Sequence, residues 1–315
     1  MSALLADIGG TNARFALLLE GAQGPVLHLS VADYATAYDA AATAMEQLGC
    51  TELPASAVLA FAGPVDGDRA VMTNAGWDTT VGELRQRLGF SRVRLLNDYG
   101  ALALGLEHLT EGDRLRIGPA RPNARGALAV LGPGSGLGVA ALFPAEPHGL
   151  PLVSEGGHAT MPAADGLEAE LLAALREDFG HVSAERVLSG PGLVNIHRGL
   201  ARVQGRTVAP LSSAEITRLG LEGGDDLCRL VLERFCLFLG SFAADVALNY
   251  GARGGIFLGG GILPRFPDFL AASAFRSRFE DKGRFRDYLS AVPTWLIIRD
   301  DAAFVGLAAA ARQLA

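Results

Sequence analysis

Polar side chains interrupt the first apolar run of the chain at a pair of glycines. Residues 4–19 read LLADIGGTNARFALLL, in which the interruption consists of Asp7, Gly9, Gly10, Thr11, Asn12 and Arg14. Glycines in a tight turn allow backbone N–H groups to converge, and converging N–H groups bind phosphate oxygens. A carboxylate at the mouth of the turn can hold Mg²⁺ beside a triphosphate, which makes Asp7 the candidate metal ligand. An ordinary hairpin with a polar tip is the alternative interpretation.

A second glycine-rich loop also lies between two apolar runs. Residues 127–143 read ALAVLGPGSGLGVAALF, and the candidate phosphate-binding residues there are Gly132, Gly134, Ser135 and Gly136. The two loops suggest a duplicated strand-loop-strand unit, although only the architecture repeats and not the letters. Neither a dinucleotide fold nor a P-loop is predicted, because GPGSGLG does not match G-x-G-x-x-G and no G-x-x-x-x-G-K-[ST] occurs.

A third glycine group follows the strand-like run GGIFL and comprises Gly259, Gly260 and Gly261. Bare backbone at such a place would let a flat adenine lie against the chain near a helix N-terminus. Two phosphate-type hairpins and this platform together predict a nucleotide held between two domains.

Asn97 and Asp98 close the strand-like run VRLLND, where a helical pattern begins. This is a common place for catalytic groups in open α/β sheets. Asp98 could accept the proton of an attacking hydroxyl there. A helix cap is an equally good interpretation of the pair taken alone.

Acceptor-binding candidates lie in the run SEGGH. Glu155 and His158 have the Glu-x-x-His spacing of a helical metal pair, but Gly156 and Gly157 disfavour a helix. Binding of sugar hydroxyls is therefore the preferred interpretation. Glu185, in a predicted helical first turn capped by Ser183, would by itself be typical of a surface acid.

Composition limits the remaining classes of function. The chain has 315 residues, enough for two domains, with 50% hydrophobic and 19% charged residues. A net charge of −7 gives no general attraction to nucleic acid or anionic lipid.

The basic run from Phe275, FRSRFEDKGRFRDYL, also contains acids, so a solvated amphipathic helix is predicted for it. The long apolar run 225–250 has Arg229, Glu233, Arg234 and Asp245 inside it and predicts a buried helix, not a membrane span. We therefore expect neither a nucleic-acid nor a membrane partner.

Alternating strand and helix patterns predict an α/β class. Capping-box spacing at Thr80 and Glu83, and again at Ser212 and Glu215, predicts two helix starts. Residues 107–126, EHLTEGDRLRIGPARPNARG, are the candidate domain boundary. Three cysteines without a C-x-x-C pair suit neither a disulfide framework nor a zinc site, which fits a reducing cytoplasm.

Eight stretches spread over almost the whole chain resemble the bacterial glucokinase family of proteobacterial type. They are ADIGGTNARFAL, GPVDGDRAVMTNAGW, LLNDYGALALGL, LGPGSGLGVA, SEGGHATMPA, GHVSAERVLSGPGLVNI, GGGILPRF and FEDKGRF. The resemblance implies two ribonuclease-H-like halves of the actin, hexokinase and heat-shock ATPase type, with an interdomain cleft. It implies a small domain of residues 1–108 plus 299–315 and a large domain of residues 109–298.

The resemblance also implies a reaction, the ATP-dependent phosphorylation of D-glucose at its 6-hydroxyl, with ATP and Mg²⁺ as cofactors. Residue by residue, the resemblance makes Asp98 the base and also a sugar ligand, together with Asn97, Glu155, His158 and Glu185. It assigns Asp7 through Thr11 and Gly132 through Gly138 to phosphate, and Gly259 through Gly261 to adenosine. A homodimer is expected from the resemblance alone.

The second loop departs from the family at Ser135, where threonine is usual, so the phosphate geometry there is open. The chain also lacks the cysteine-rich zinc motif of the related repressor/open-reading-frame/kinase sugar kinases. Alternatives are a kinase for another hexose or an amino sugar, one using polyphosphate, a non-catalytic sugar-sensing regulator, and an actin-like or chaperone ATPase. A regulator usually carries a DNA-binding helix-turn-helix, for which we expect no room before the strand beginning by about residue 3.

Overall fold

The computed structural model describes residues 2–72, 75–119 and 126–314. The chain divides into two compact units. The first comprises Met1–Thr110, Leu142–Val153 and Arg299–Ala315, and the second comprises Glu111–Ala141 and Ser154–Ile298. Residues 73–74 of the GPVDGDRAVMTNAGW stretch and residues 120–125 of the candidate boundary lie outside the described residues. The domain limits expected from the sequence therefore stay a prediction.

The elements alternate between strands and helices along the chain. The strands are β1 Ser2–Ile8, β2 Asn12–Leu19, β3 Ala22–Gln23, β4 Leu27–Ser30, β5 Ser56–Phe61, β6 Val65–Asp66, β7 Arg69–Met72, β8 Trp77–Thr80, β9 Arg92–Asn97, β10 Arg114–Arg116, β11 Leu128–Pro133, β12 Leu137–Phe143, β13 Leu150–Ser154, β14 Gly255–Leu258 and β15 Thr294–Ile297. The α-helices are α1 Ala37–Gln47, α2 Val81–Leu88, α3 Asp98–Gly105, α4 Gly166–Phe179, α5 Gly190–Val203, α6 Ser213–Glu222, α7 Asp226–Tyr250, α8 Pro267–Ala272, α9 Phe275–Glu280, α10 Arg286–Ser290 and α11 Ala302–Gln313.

The first unit is built on a sheet of order β3-β2-β1-β5-β9, with β4 also paired to β2. Strands β1, β5 and β9 are parallel, and β2 is antiparallel to β1. All six residues of β5 are buried, as expected of a central parallel strand. Strand β9 ends at Asn97, directly before α3. The predicted strand-to-helix junction at Asn97 and Asp98 is therefore confirmed.

The second unit holds a sheet of order β10-β15-β14-β11-β12-β13, in which β11, β14 and β15 are parallel. The segment that joins β12 to β13 is grouped with the first unit. Strands β11 and β12 are neighbours separated by a glycine turn, as are β1 and β2. The structure thus confirms the duplicated strand-loop-strand unit.

Local capping signals mark where two helices begin. The Thr80 hydroxyl accepts from the Glu83 N–H at the start of α2, and Ser212 and Glu215 form a reciprocal capping box on α6. These side chains satisfy backbone N–H groups that have no partner within the helix. The long apolar run forms α7, whose 25 residues are largely buried. Within the described residues, no helix is long and apolar enough to cross a bilayer.

The solvated helix predicted from Phe275 is wrong. The chain forms two short helices, α9 and α10, because Gly283 adopts a φ of +54° between them. Two of its four arginines are mostly buried: Arg276 donates to the carbonyl oxygens of Leu289, Ser290 and Val292, and Arg278 binds the fully buried Glu168 at 2.8 Å. Arginine serves here as a planar donor that satisfies several acceptors at once. Arg284 and Arg286 are exposed, so only the first part of the basic pattern reflects internal packing.

Glu185 lies in a single 3₁₀ turn, Ala184–Arg186, and not in the first turn of an α-helix. Ser183 stands at the N-cap position of that turn but makes no capping hydrogen bond. The following α-helix, α5, begins only at Gly190. The predicted capped helical turn is therefore wrong, because the N-cap of α5 is Ser189.

Helices α3 and α11 cross at backbone contact distance. A Cβ added to Gly306 would overlap the carbonyl oxygen of Ala101, and one added to Gly105 would lie 2.9 Å from the Gly306 nitrogen. Such an approach needs a residue without a side chain. The crossing fixes the position of α3, whose first residue is Asp98.

Asp225 at the N-cap of α7 gives a prediction for stability. Its carboxylate accepts from the Cys228 N–H at 2.9 Å, and this bond lowers its pKa below the ordinary value of 3.8. The stabilisation is complete above the unfolded-state pKa and is lost as pH falls through the lower folded-state pKa. We expect Asp225→Ala to lower the free energy of unfolding by about 1 kcal/mol at neutral pH, with a smaller loss in acid.

Urea unfolding near pH 7 and near pH 3 measures this difference. Asp225→Asn is the control, because it keeps an N-cap acceptor without the charge. A loss for Asp225→Ala of equal size at both pH values would contradict the assignment.

Candidate active site

The first glycine loop is a tight connection between β1 and β2. Asp7 pairs with Arg14 and Ile8 with Ala13 across the two antiparallel strands. The Gly9 N–H donates to the Asn12 carbonyl oxygen at 2.9 Å and closes the turn. The residues at its tip are exposed: Gly10, Thr11 and Asn12. The loop thus presents backbone and short polar side chains to solvent, as phosphate binding requires.

Asp7 lies beneath this turn and is paired with a cation. Its side chain is 17% exposed, and the Arg14 Nη1 atom lies 3.3 Å from its Oδ2 atom. Burial raises the pKa of Asp7, while the charge and hydrogen bond of Arg14 oppose that rise. Within the described residues, no group of three or more His, Cys, Asp or Glu side chains could hold a metal. A single carboxylate fits Mg²⁺, which takes one or two carboxylates, phosphate oxygens and water.

The second glycine loop and the glycine triplet lie against each other. The Gly134 N–H donates to the Gly136 carbonyl oxygen at 2.8 Å, and Ser135 between them is exposed. The Gly259 N–H donates to the Leu131 carbonyl oxygen at 2.8 Å. Gly260 has a φ of +80°, and a Cβ there would overlap the Pro133 carbonyl oxygen. Within the second unit, the structure therefore brings together the second loop predicted for phosphate and the residues predicted for adenosine.

Asn97 caps the helix that Asp98 begins. The Asn97 Oδ1 atom accepts from the N–H groups of Tyr99 and Gly100 at 2.9 and 3.2 Å, and its Nδ2 atom donates to the Gly63 carbonyl oxygen at 3.1 Å. The Asp98 Oδ1 atom also accepts from the Tyr99 N–H at 2.9 Å. Burial, and then the nearby Asp98 charge, raise the pKa of Tyr99. The helix cap and the carboxylate predicted to be the base therefore occur together at this junction.

Glu155 directly precedes a single 3₁₀ turn, Gly156–His158, and His158 is its last residue. Their side chains are 77% and 63% exposed, with the His158 Nε2 atom 3.9 Å from the Glu155 Oε2 atom. A Cβ at Gly157 would overlap the Leu137 carbonyl oxygen. The expected absence of an α-helix here is confirmed, and the two side chains are accessible to a ligand.

Glu185 reaches back to the second glycine loop. Its Oε2 atom accepts from the Leu137 N–H at 2.9 Å. The preceding segment pairs with the residues after His158: the Ala184 N–H donates to the Ala159 carbonyl oxygen, and the Met161 N–H to that of Val182. These backbone bonds place Glu185 beside the turn of Glu155 and His158.

Three contacts of this region had no local signal in the sequence. The Tyr250 hydroxyl lies 2.5 Å from the Ser154 Oγ atom, directly before Glu155. The Leu137 backbone contacts both Glu185 and the turn at Gly157. The Gly63 carbonyl oxygen orients the Asn97 amide. Each joins residues far apart in the chain, so spacing could not reveal it.

Comparisons with known proteins agree with this arrangement. The glucokinase family matches residues 4–314. The glucokinase of Nitrobacter hamburgensis is 44% identical over 305 residues, covering 97% of this chain and 95% of that protein. The glucokinase of Saccharophagus degradans is 43% identical over 317 residues, covering 99% and 98%.

A crystal structure of a glucokinase from an Antarctic psychrotroph matches with a TM-score of 0.92 at 36% identity and covers 99% of both chains. The expected α/β fold of two ribonuclease-H-like domains, of the actin and hexokinase type, is confirmed. The chain therefore belongs to the glucokinase family, whose members are enzymes that phosphorylate glucose with ATP.

Proposed function

We propose that Asp98 is the general base when this enzyme transfers the γ-phosphoryl group of ATP to the 6-hydroxyl of glucose. The observation that carries the proposal is the position of Asp98 at the N-terminus of α3, where Asn97 and Gly63 fix the backbone. The positive end of a helix favours an ionised carboxylate. An ionised Asp98 can accept the hydroxyl proton as the sugar oxygen attacks phosphorus.

Four further side chains supply the sugar contacts in this proposal. The carboxylates of Glu155 and Glu185 accept hydrogen bonds from sugar hydroxyls, and His158 can donate or accept. The Asn97 Nδ2 atom carries a second N–H beside the one directed at Gly63. These groups form hydrogen bonds with a ligand that presents several hydroxyls. With a ligand that lacks those hydroxyls, the same groups have no hydrogen-bond partner, which weakens its binding.

The glycine loops hold the nucleotide in the same proposal. Gly9 through Asn12 and Gly132 through Gly136 form the two phosphate turns, and Gly259 through Gly261 lie along the adenosine. The Gly9 and Gly134 N–H groups close these turns, so other polar groups of the turns contact the phosphates. Asp7 would hold Mg²⁺, with Arg14 beside it. Bound Mg²⁺ neutralises charge on the phosphate oxygens. The protein's own task is then positioning, which supplies much of the acceleration in phosphoryl transfer.

We further propose that the enzyme is a cytoplasmic homodimer that feeds glucose 6-phosphate into glycolysis. All three cysteines are free thiols in the structure, which supports a reducing compartment. Light scattering of the purified chain measures its molar mass, and a monomer at micromolar concentration would contradict the dimer.

Asp98→Asn tests the base. We expect glucose-dependent ADP release from Mg-ATP to fall by at least about two orders of magnitude while glucose still binds, because the amide keeps the shape but cannot accept the proton. Asp226→Asn is the matched control, since Asp226 is also the first residue of a helix and is 88% exposed.

The control should keep the native rate. Retained activity in Asp98→Asn would overturn the base, and a native protein that binds glucose without releasing ADP would overturn ATP as donor. A panel of hexoses and amino sugars, assayed with ATP and with polyphosphate, separates the remaining alternatives.

Asp7→Asn tests the metal assignment. We expect the Mg²⁺ concentration that gives half-maximal ADP release to rise by about tenfold, because a neutral amide is a weaker ligand for a hard cation. Asp33→Asn, at an exposed position of the same unit, is the control. An unchanged Mg²⁺ dependence in Asp7→Asn would remove Asp7 from the metal site.

Gly136→Ala tests the role of Glu185. The added Cβ would lie 2.5 Å from the Glu185 Oε2 atom, so the carboxylate must swing away and lose its bond to Leu137. We expect KM for glucose to rise about tenfold with a small change in stability, since only the end of a flexible side chain moves. The control is Gly166→Ala, where an added Cβ meets nothing within 4 Å. An unchanged KM would argue against Glu185 as a sugar ligand.

A further inference from the structure

A hydroxyl at the end of the core helix α7 contacts the start of the sugar loop, which we define as Ser154 to His158. Tyr250 is the last residue of α7, and its Oη atom donates to the Ser154 Oγ atom at 2.5 Å. Gly251 then ends the helix with a φ of +60°, and its N–H donates to a carbonyl oxygen of the last turn. The Tyr250 hydroxyl therefore belongs to a well-fixed part of the second unit.

The Ser154 Oγ atom accepts a second hydrogen bond from within the sugar loop. Its other donor is the Gly156 N–H at 3.3 Å, so one oxygen joins α7 to the loop backbone on both sides of Glu155. Ser154 is itself the last residue of β13. The hydroxyl pair thus fixes the point where the strand ends and the sugar loop begins.

The sugar loop needs such a restraint. Two of its five residues are glycines, and the side chains of Glu155 and His158 are mostly exposed. Glycine has the largest backbone freedom of any residue, so an unrestrained loop would lose that freedom each time a sugar bound. Close packing of Gly157 on the Leu137 carbonyl oxygen restrains the far end of the loop. The Tyr250 and Ser154 hydroxyls restrain the near end.

We infer that Tyr250 is a positioning residue for glucose, acting through Ser154 to pre-organise the loop that carries Glu155 and His158. The inference rests on the proposed sugar-binding role of those two side chains. Tyr250 itself touches no reacting atom in this scheme. Its contribution is to reduce the ordering cost of sugar binding, which appears in affinity for glucose and not in the chemical step.

Tyr250→Phe removes the hydroxyl and keeps the ring. We expect KM for glucose to rise about three- to tenfold, the effect of one lost hydrogen bond, while kcat and KM for ATP change less than twofold. Ser154→Ala should raise KM for glucose by at least as much, because both bonds to Oγ are lost. Ser154→Thr keeps the hydroxyl and should retain a KM close to native. Combining Tyr250→Phe with Ser154→Ala should add little to Ser154→Ala alone.

Tyr288→Phe is the matched control, because it removes a tyrosine hydroxyl of the same unit from a ring that packs against Phe285 and Arg253. It should leave KM for glucose unchanged.

A merely structural role for Tyr250 would lower the melting temperature and the active fraction without raising KM, and that result would overturn the inference. Equal KM values for native enzyme and Tyr250→Phe would also overturn it. If the native chain shows no glucose-dependent ADP release, the proposed function itself fails, and glucose titration calorimetry on the same variants still tests the loop.

Discussion

Backbone segments approach one another where a residue has no side chain, and the functional residues depend on these approaches. In the first unit, Gly306 of α11 lies against the Ala101 carbonyl oxygen of α3 and so fixes the helix that Asp98 begins. In the second unit, Gly157 lies against the Leu137 carbonyl oxygen and Gly260 against that of Pro133. A methyl group at any of these places would require backbone to move. The glycines therefore set the spacing of the segments that carry the chemistry.

Leu137, the first residue of β12, joins residues proposed for two different ligands. It follows the glycine turn assigned to phosphate, its N–H holds Glu185, and its carbonyl oxygen covers the glycine turn between Glu155 and His158. A shift of the phosphate loop would therefore move the backbone that orients the sugar side chains. Within the second unit, the residues proposed to contact the nucleotide and those proposed to contact the acceptor are parts of one packed structure.

Much of this arrangement could be predicted from the sequence because its signals are local. Glycine turns between apolar runs, capping residues, and a polar pair at the end of a strand each report on a few neighbouring residues. The structure has a turn, cap or junction at each of them except Ser183, which makes no capping hydrogen bond. The bond from Tyr250 to Ser154 spans 96 residues, and that from Leu137 to Glu185 spans 48. Rules based on the spacing of residues in the sequence describe neighbours within a few positions and cannot predict contacts at these separations. The prediction for the basic run after Phe275 is wrong for the same reason, since the carboxylates that bind Arg278 lie more than 100 residues away.

Two carboxylates of the first unit are suited to different tasks by their surroundings. Burial raises the pKa of Asp7, and the charge and hydrogen bond of the Arg14 guanidinium oppose that rise. Asp98 instead begins a helix, where the Tyr99 N–H and the helix dipole favour its ionised form. Exchanging the two environments would leave the proposed metal ligand without Arg14 and would bury the proposed base beside a cation that competes for its lone pairs. Each environment belongs to a different strand end, β1 for Asp7 and β9 for Asp98, so the two proposed roles would follow from the topology of one sheet.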